Sequence, residues 1–244
     1  MAQNKQGARR VLLKLSGEAL SSGKTGILDF EIVTEICKTI SRCAADGVQV
    51  ALVVGAGNIW RGRQGGGMDQ TRADHMGMLA TTINALALQD TFLSLGVQAK
   101  VFTAVSMPQF AIPYSRDAVE NAFADGSIVI FGCGLGSPFF STDTAAVLRA
   151  AEIDADAVLF AKNIDGVYSA DPKKDPTAVK YETLTYEEIL EKRLAAIDLT
   201  AAAFALDHGL PVYVFALDDP ENIVRAANGE NTGTILHGGN SNEF

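Results

Sequence analysis

Short apolar runs alternate with helix-length patterned segments along this chain, and that alternation restricts the possible folds more than any other feature of the sequence. The runs "VLLKLS" (11–16), "VQVALVVG" (48–55), "VQAKVFTAV" (97–105), "SIVIFG" (127–132), "DAVLFA" (156–161) and "PVYVFA" (211–216) are close to continuously apolar. A strand that is apolar on both sides must be covered on both sides, which is the habit of parallel sheets. Helical periodicity fills the intervals. It runs first over about 29–45, where Ile32, Ile36, Cys37, Ile40 and Cys43 share a face, then over about 74–95, 115–124, 142–153, 185–192, 198–208 and 220–228. A last short strand is expected near Gly233–Leu236, and a polar, proline-containing stretch at 163–183 interrupts the rhythm. The pattern predicts an α/β fold: a mainly parallel sheet with helices on both faces. No internal repeat or low-complexity linker divides the chain; only the interruption at 163–183 could seam two lobes.

Composition narrows the partners. Twenty Lys and Arg against 29 Asp and Glu give a net charge of −9, which argues against general binding to nucleic acid or to a membrane surface. An anion would have to be held by a few placed cations. No run approaches the ~18 apolar residues of a membrane span, and the polar, basic start "MAQNKQGARR" does not read as a signal peptide. Cys37, Cys43 and Cys133 are too scattered for a disulfide frame or a zinc site, and His75, His208 and His237 lack metal spacing. A reducing, cytoplasmic setting fits.

Ligands of open parallel sheets sit beyond the carboxyl ends of the strands. Four such ends carry glycine here: "KLSG" (14–17), "VVGAGN" (53–58), "FGCGLG" (131–136) and "AKNIDG" (161–166). Glycine lets backbone N–H groups close on an anion, and four such loops along one rim point to a polyanion such as nucleotide phosphates. Two named phosphate motifs nevertheless fail. In "GKT" (23–25) a P-loop would need glycine at position 18, which is Glu18. For G-x-G-x-x-G, the sixth position is Trp60 after Gly55 and Gly57, and Ser137 after Gly132 and Gly134.

Side chains at that rim have competing readings. Lys14 lies within an apolar strand. It is either a snorkelling residue of an edge strand or, with Ser16 and Gly17 directly after it, a phosphate ligand that stays charged. Arg61 and Arg63 follow "GAGN" within one helical turn and suit bidentate phosphate contact, or the surface. Asp74, near a helix start, could cap it or accept from ribose hydroxyls. In "GLGSPFFSTDTAAVLRA" (134–150) a tight loop leads into a helix whose N-terminus is an anion site. Phe139 and Phe140 there enter the core or pack on something flat. Asp143 caps that helix, faces a magnesium ion or holds the acceptor. Tyr168 and Asp171, in a turn-rich loop, frame an adenine and a ribose or belong to a surface hairpin. Asp198 caps the helix it opens or aims Lys14.

The segments "LLKLSGEAL", "GNIWRG", "DHMGMLAT", "GSPFFSTDTAA", "DGVYSADP" and "LTYEEIL" resemble the bacterial uridylate kinases (UMP kinases) of the amino-acid-kinase superfamily, over essentially the whole chain. The resemblance implies a three-layer α/β/α sandwich as one domain over 1–244, with an acceptor-nucleotide side over about 1–155 and an ATP side over about 156–244. It implies an ATP–magnesium donor, UMP as acceptor, phosphates as the ligands of the metal, and a homohexamer. By motif, Lys14, Leu15, Ser16, Gly17, Gly57, Arg61, Asn163, Tyr168 and Asp171 would hold ATP. Ala56, Asp74 and the run Leu135, Gly136, Ser137, Pro138, Phe139, Phe140, Ser141 and Thr142 would hold UMP, with Asp74 on the ribose. Lys14, Asp143 and Asp198 would be the catalytic set. Two departures stand out. Ala56 replaces a glycine usual in the family, and Lys100 and Ser127 stand where many relatives carry arginines for GTP activation. Two other readings compete: a kinase of the superfamily with a carbamate or N-acetylated amino acid acceptor, and a non-catalytic oxyanion- or nucleotide-binding protein on the same fold.

Overall fold

The computed structural model describes residues 10–23, 26–61, 67–194 and 197–239; Arg63 and the Lys24-Thr25 pair lie outside them. The apolar runs form β1 (Arg10–Leu15), β2 (Gln49–Val54), β3 (Ala99–Thr103), β5 (Ile128–Gly132), β6 (Ala157–Lys162) and β10 (Val212–Ala216), with a two-residue β4 (Ile112–Pro113) at one edge. All of these pair in parallel. At the other edge β11 (Thr234–His237) runs antiparallel to β10, and β9 (Thr183–Thr185) runs parallel to β11. The nine-stranded order is β4-β3-β5-β2-β1-β6-β10-β11-β9. The interruption at 163–183 holds a small separate ribbon, β7 (Val167–Tyr168) with β8 (Lys180–Tyr181). Its strands are too short to register as apolar runs.

Helices cover both faces, as expected. Against one face lie α1 (Phe30–Ala45), α2 (Gln70–Ser94) and α7 (Glu221–Ala227), whose Ile36, Leu88 and Ile223 belong to the same apolar core as Leu13 and Leu15 of β1. Against the other lie α3 (Arg116–Ala124), α4 (Thr142–Glu152), α5 (Tyr186–Lys192) and α6 (Leu199–Asp207), whose Val119, Ala146, Ile189 and Ala202 belong to the same apolar core as Leu12. Caps set the starts: Asp29 for α1, Ser115 for α3, Ser141 for α4, the Thr185–Glu188 box for α5 and Asp198 for α6. α2 starts at Gln70, a turn before the expected Asp74, because Asp69 accepts from the Arg72 N–H and caps it.

Topology decides what meets at the rim. The chain fills one side of β1 with β2, β5 and β3, then returns through α4 to lay β6 on its other side. That return places α4 against β1, β2 and β6. Strand side chains alternate between faces. With Leu13 and Leu15 facing α1 and α2, Lys14 follows Leu12 toward α4. β1 is thus the central strand rather than an edge, and Lys14 is 8% exposed.

Candidate active site

A buried ammonium needs a counter-charge, and α4 supplies it. Lys14 Nζ lies 2.7 Å from Asp143 Oδ1, and Lys162 Nζ, at the end of β6, lies 3.3 Å from Asp143 Oδ2. Burial pushes the Asp143 carboxyl up, but Lys14 and Lys162 together hold it below the ordinary carboxylate range. Burial pulls Lys162 below the ordinary lysine range, against the opposing pull of Asp143, and the neighbouring Lys14 charge adds to the lowering. The three groups comprise two lysines sharing one carboxylate.

Asp198 stands beside it with a different task. It caps α6 by accepting from the Ala201 N–H at 2.9 Å, and it also accepts from the Ser141 hydroxyl and from Thr144 Oγ1 at 3.1 Å. Ser141 in turn accepts from the Asp143 and Thr144 N–H groups at 3.0 and 3.2 Å. The N-termini of α4 and α6 are therefore tied together through one carboxylate. The residue that pairs with Lys14 is Asp143, not Asp198, and Ser141 rather than Asp143 caps α4.

Across the sheet edge the loops after β1 and β2 pack backbone to backbone. Ser16 caps a 3-10 turn at Gly17–Leu20, and the Gly55 N–H donates to Leu15 O at 2.9 Å. A Cβ on Gly17 would stand 2.6 Å from Gly57 N and 2.7 Å from Gly55 O, besides striking Asn58 Oδ1. Gly17→Ala must push these loops apart, since backbone cannot yield as a side-chain tip can. Its expected cost is about 1–3 kcal/mol of stability together with lost nucleotide affinity, read by thermal unfolding and equilibrium titration with ATP. Ala56 O accepts from the Ile59 and Trp60 N–H groups, each at 2.8 Å, so the segment after β2 turns helically. Arg61 bridges the two loops: its Nη2 pairs with Glu18 and its Nε donates to Gly57 O at 3.3 Å.

The glycine loop after β5 meets α2. Asp74 Oδ2 accepts the Phe139 N–H at 2.8 Å, and Oδ1 accepts from Gln70 at 2.7 Å. A cavity of about 120 Å³ lies there, lined by Ala56, Trp60, Asp74, Leu135, Ser137, Phe140, Ser141 and Thr142 among others. Gly136, Pro138 and Phe139 share the loop but are not among the lining residues. Phe139 and Phe140 are 75% and 53% exposed, so neither is a core residue. Trp60 packs here with its indole N–H donating to Ala73 O at 2.8 Å.

Tyr168 and Asp171 line a separate cavity of about 420 Å³ with Lys192, Arg193 and Leu194 of the α5 C-terminus. Tyr168 donates to Asp165 at 2.9 Å. Asn163 does not join them; with Lys162, Glu18 and Asp218 it lines another cleft, of about 810 Å³, between the α1 start and the β10–α7 turn. Lys162 and Arg193 are not among the residues singled out from the sequence. Lys162 ends its strand as Lys14 nearly ends β1, and the same logic would have found it.

The model of the amino acid kinase family matches residues 9–216. The chain belongs to the amino acid kinase family. Within it, solved structures are similar over nearly their whole length. UMP kinase from Ureaplasma parvum shares 35% identity, with 95% of this chain and 99% of that chain covered, at a TM-score of 0.90. UMP kinase from Bacillus anthracis shares 36%, over 94% and 96%, also at 0.90. Uridylate kinase from Archaeoglobus fulgidus shares 31%, over 93% and 99%, at 0.70. The mostly parallel sheet with helices on both faces is the architecture expected of this family. Of the two positions where the resemblance implied arginines, Lys100 is paired with Asp125 at 2.8 Å and Ser127 is buried. Among the described residues, no group of three or more His, Cys, Asp or Glu side chains is placed to hold a metal, and no helix is long and apolar enough to cross a membrane.

Proposed function

We propose that this member of the family transfers the γ-phosphoryl group of ATP to UMP, giving UDP and ADP, as a step of pyrimidine nucleotide biosynthesis. The observation that carries this reading is the Lys14–Asp143–Lys162 cluster at the strand ends, with the closely packed Gly17 and Gly57 backbones in the loops that follow β1 and β2. A UMP phosphate oxygen, already ionised at neutral pH, forms a bond to the γ-phosphorus as the bond to the β,γ-bridging oxygen breaks. No proton needs to move, so positioning and charge neutralisation are the main tasks. Lys14 and Lys162 neutralise phosphate oxygens; Asp143 fixes both ammoniums; Asp198 fixes the start of α4. Both Asp143 oxygens are taken by lysines, so magnesium fits as a companion of the ATP phosphates, where it supplies further charge neutralisation.

On this reading residues 1–155 provide the acceptor side and 156–244 the ATP side. UMP uses Ala56, Asp74 and the 135–142 loop, with Asp74 exchanging the Phe139 N–H for a ribose hydroxyl. The cavity there is well below the ~300 Å³ of ordinary ligand clefts, so the loop must open to admit UMP. ATP lies from Lys14, Leu15, Ser16, Gly17, Gly57 and Arg61 toward Asn163, Tyr168 and Asp171. A homohexamer belongs to the proposal, supported by Met76, Leu79 and Ile83, which stand exposed at helical spacing on α2. So does a cytoplasmic location, supported by three free, buried cysteines. The test is ATP consumption with UMP, CMP, dTMP, carbamate and an N-acetylated amino acid, each with and without GTP. UDP formation from UMP is the expected result. A preference for either acid acceptor assigns the chain to another kinase of the family, and tight nucleotide binding without UDP makes it a binding protein.

A further inference from the structure

We infer that Asn84 is a positioning residue for phosphoryl transfer, holding the loops after β1 and β2 in register from beneath. This inference rests on the reaction proposed above. Asn84 lies in the fourth turn of α2 and is fully buried; its hydrogen bonds go to Gly55 and Asn58, not to Lys14, Asp143 or Lys162. A carboxamide buried so completely must have all its hydrogen-bonding groups satisfied. Here both amide hydrogens of Asn84 are used: Nδ2 donates to Gly55 O at 2.8 Å and to Asn58 Oδ1 at 2.8 Å. Its Oδ1 accepts from Asn58 Nδ2 at 3.0 Å, and Asn58 Nδ2 also donates to Ile27 O at 2.6 Å. The two amides form a closed reciprocal pair with no spare donor.

The two acceptors that Asn84 binds, Gly55 O and Asn58 Oδ1, are also two of the three atoms on which Gly17 rests so closely that a Cβ would not fit. The side chain of Asn84 therefore fixes the floor of the Gly55–Asn58 turn, and the Gly17 backbone lies directly on that floor. Neighbouring residues of the same helix face do the same for the other loop: Thr81 Oγ1 accepts the Cys133 N–H at 2.9 Å, and Asp74 accepts the Phe139 N–H. Two contacts at Asn84 thus set the spacing of the amides that face donor and acceptor phosphates, and a displacement of about 1 Å costs on the order of 100-fold in such alignments.

Asn84→Asp tests this, since it keeps shape and volume while replacing both donors by acceptors facing Gly55 O and Asn58 Oδ1. At a temperature where circular dichroism shows the variant folded, kcat per folded molecule is expected to fall about 100-fold. KM for UMP, whose proposed ligands are Asp74 and the 135–142 loop with only Ala56 inside the turn, should change less than about threefold, the split expected when mainly transition-state alignment is lost. Trp60, the single tryptophan, ends the Gly55–Asn58 turn and should show an altered emission spectrum before any nucleotide is added. Wild-type kcat in folded Asn84→Asp, or unchanged Trp60 emission with a rate loss that only tracks the unfolded fraction, overturns the inference. If Asn84→Asp does not fold, the half-buried Asn58→Ala serves instead, with about a 10-fold loss of kcat expected; wild-type kcat there overturns it equally. If the unaltered chain makes no UDP, the proposed reaction fails, while ATP titration and Trp60 emission of the variants still decide the role of Asn84.

Discussion

Lys14→Ala is expected to lower UDP formation by at least ~100-fold, the scale seen when a pre-organised electrostatic donor is removed from a transition state. The structure allows the variant to fold. Truncating one partner of a buried ion pair costs about 3–5 kcal/mol when it strands the other, but Asp143 would keep Lys162 at 3.3 Å. The carboxylate is not orphaned, so the stability loss should be smaller than that range while the rate loss is not. Steady-state turnover and a thermal melt on the same sample separate the two. A folded Lys14→Ala enzyme with near-normal turnover would remove the lysine from the chemistry.

For Asp143→Asn the balance reverses. Two ammoniums, with side chains 10% and 20% exposed, would face a neutral amide with no carboxylate between them. The loss of stability at neutral pH should reach about 3–5 kcal/mol, with turnover reduced at least ~100-fold because neither lysine is aimed. The pH dependence gives a sharper check. In the unaltered protein Asp143 is held below its ordinary value, so the folded state binds this proton less readily than the unfolded chain. Its contribution is complete above about pH 4 and is lost as pH falls through the depressed folded value. In Asp143→Asn that contribution is gone. Lys162, already held low by burial and now without the opposing pull of Asp143, titrates further below its unfolded value of about 10.4, the unfolded chain binds more protons, and stability should rise with pH between neutrality and about pH 10. Denaturant melts across pH report both limbs; a variant whose stability is flat from pH 7 to about pH 10 would mean that the ammoniums are solvated after all.

Much of the architecture was legible because it rests on burial. Six apolar runs became six parallel strands, since continuous apolarity needs cover on both faces. The pieces that stayed hidden bury little: β4, β7 and β8 have two residues each and β9 three. No periodicity survives at that length. The start of α2 was misplaced because two aspartates compete for the cap, and only the fold shows Asp69 taking it and leaving Asp74 for Phe139. At the rim, Lys14 was conspicuous as a charge in an apolar strand, but its partner was not. Asp143 and Asp198 both open helices, and which one reaches Lys14 depends on where α4 crosses the sheet. Asn84 was invisible for a different reason. In "TTINALAL" an asparagine on a helix reads as a polar face, and only the packed loops reveal that this face points inward.

β1 is hydrogen-bonded to β2 on one side and to β6 on the other, so neither half of the chain owns it. Synthesis from the amino end delivers this strand first, yet its second neighbour and the helix bearing its counter-ion leave the ribosome far later. Until then an ammonium and a ragged strand edge wait together, a state that invites wrong partners. Competence should arrive as one late event, once Asp143 and Lys162 have both emerged, and long-range parallel pairing of this kind is slow.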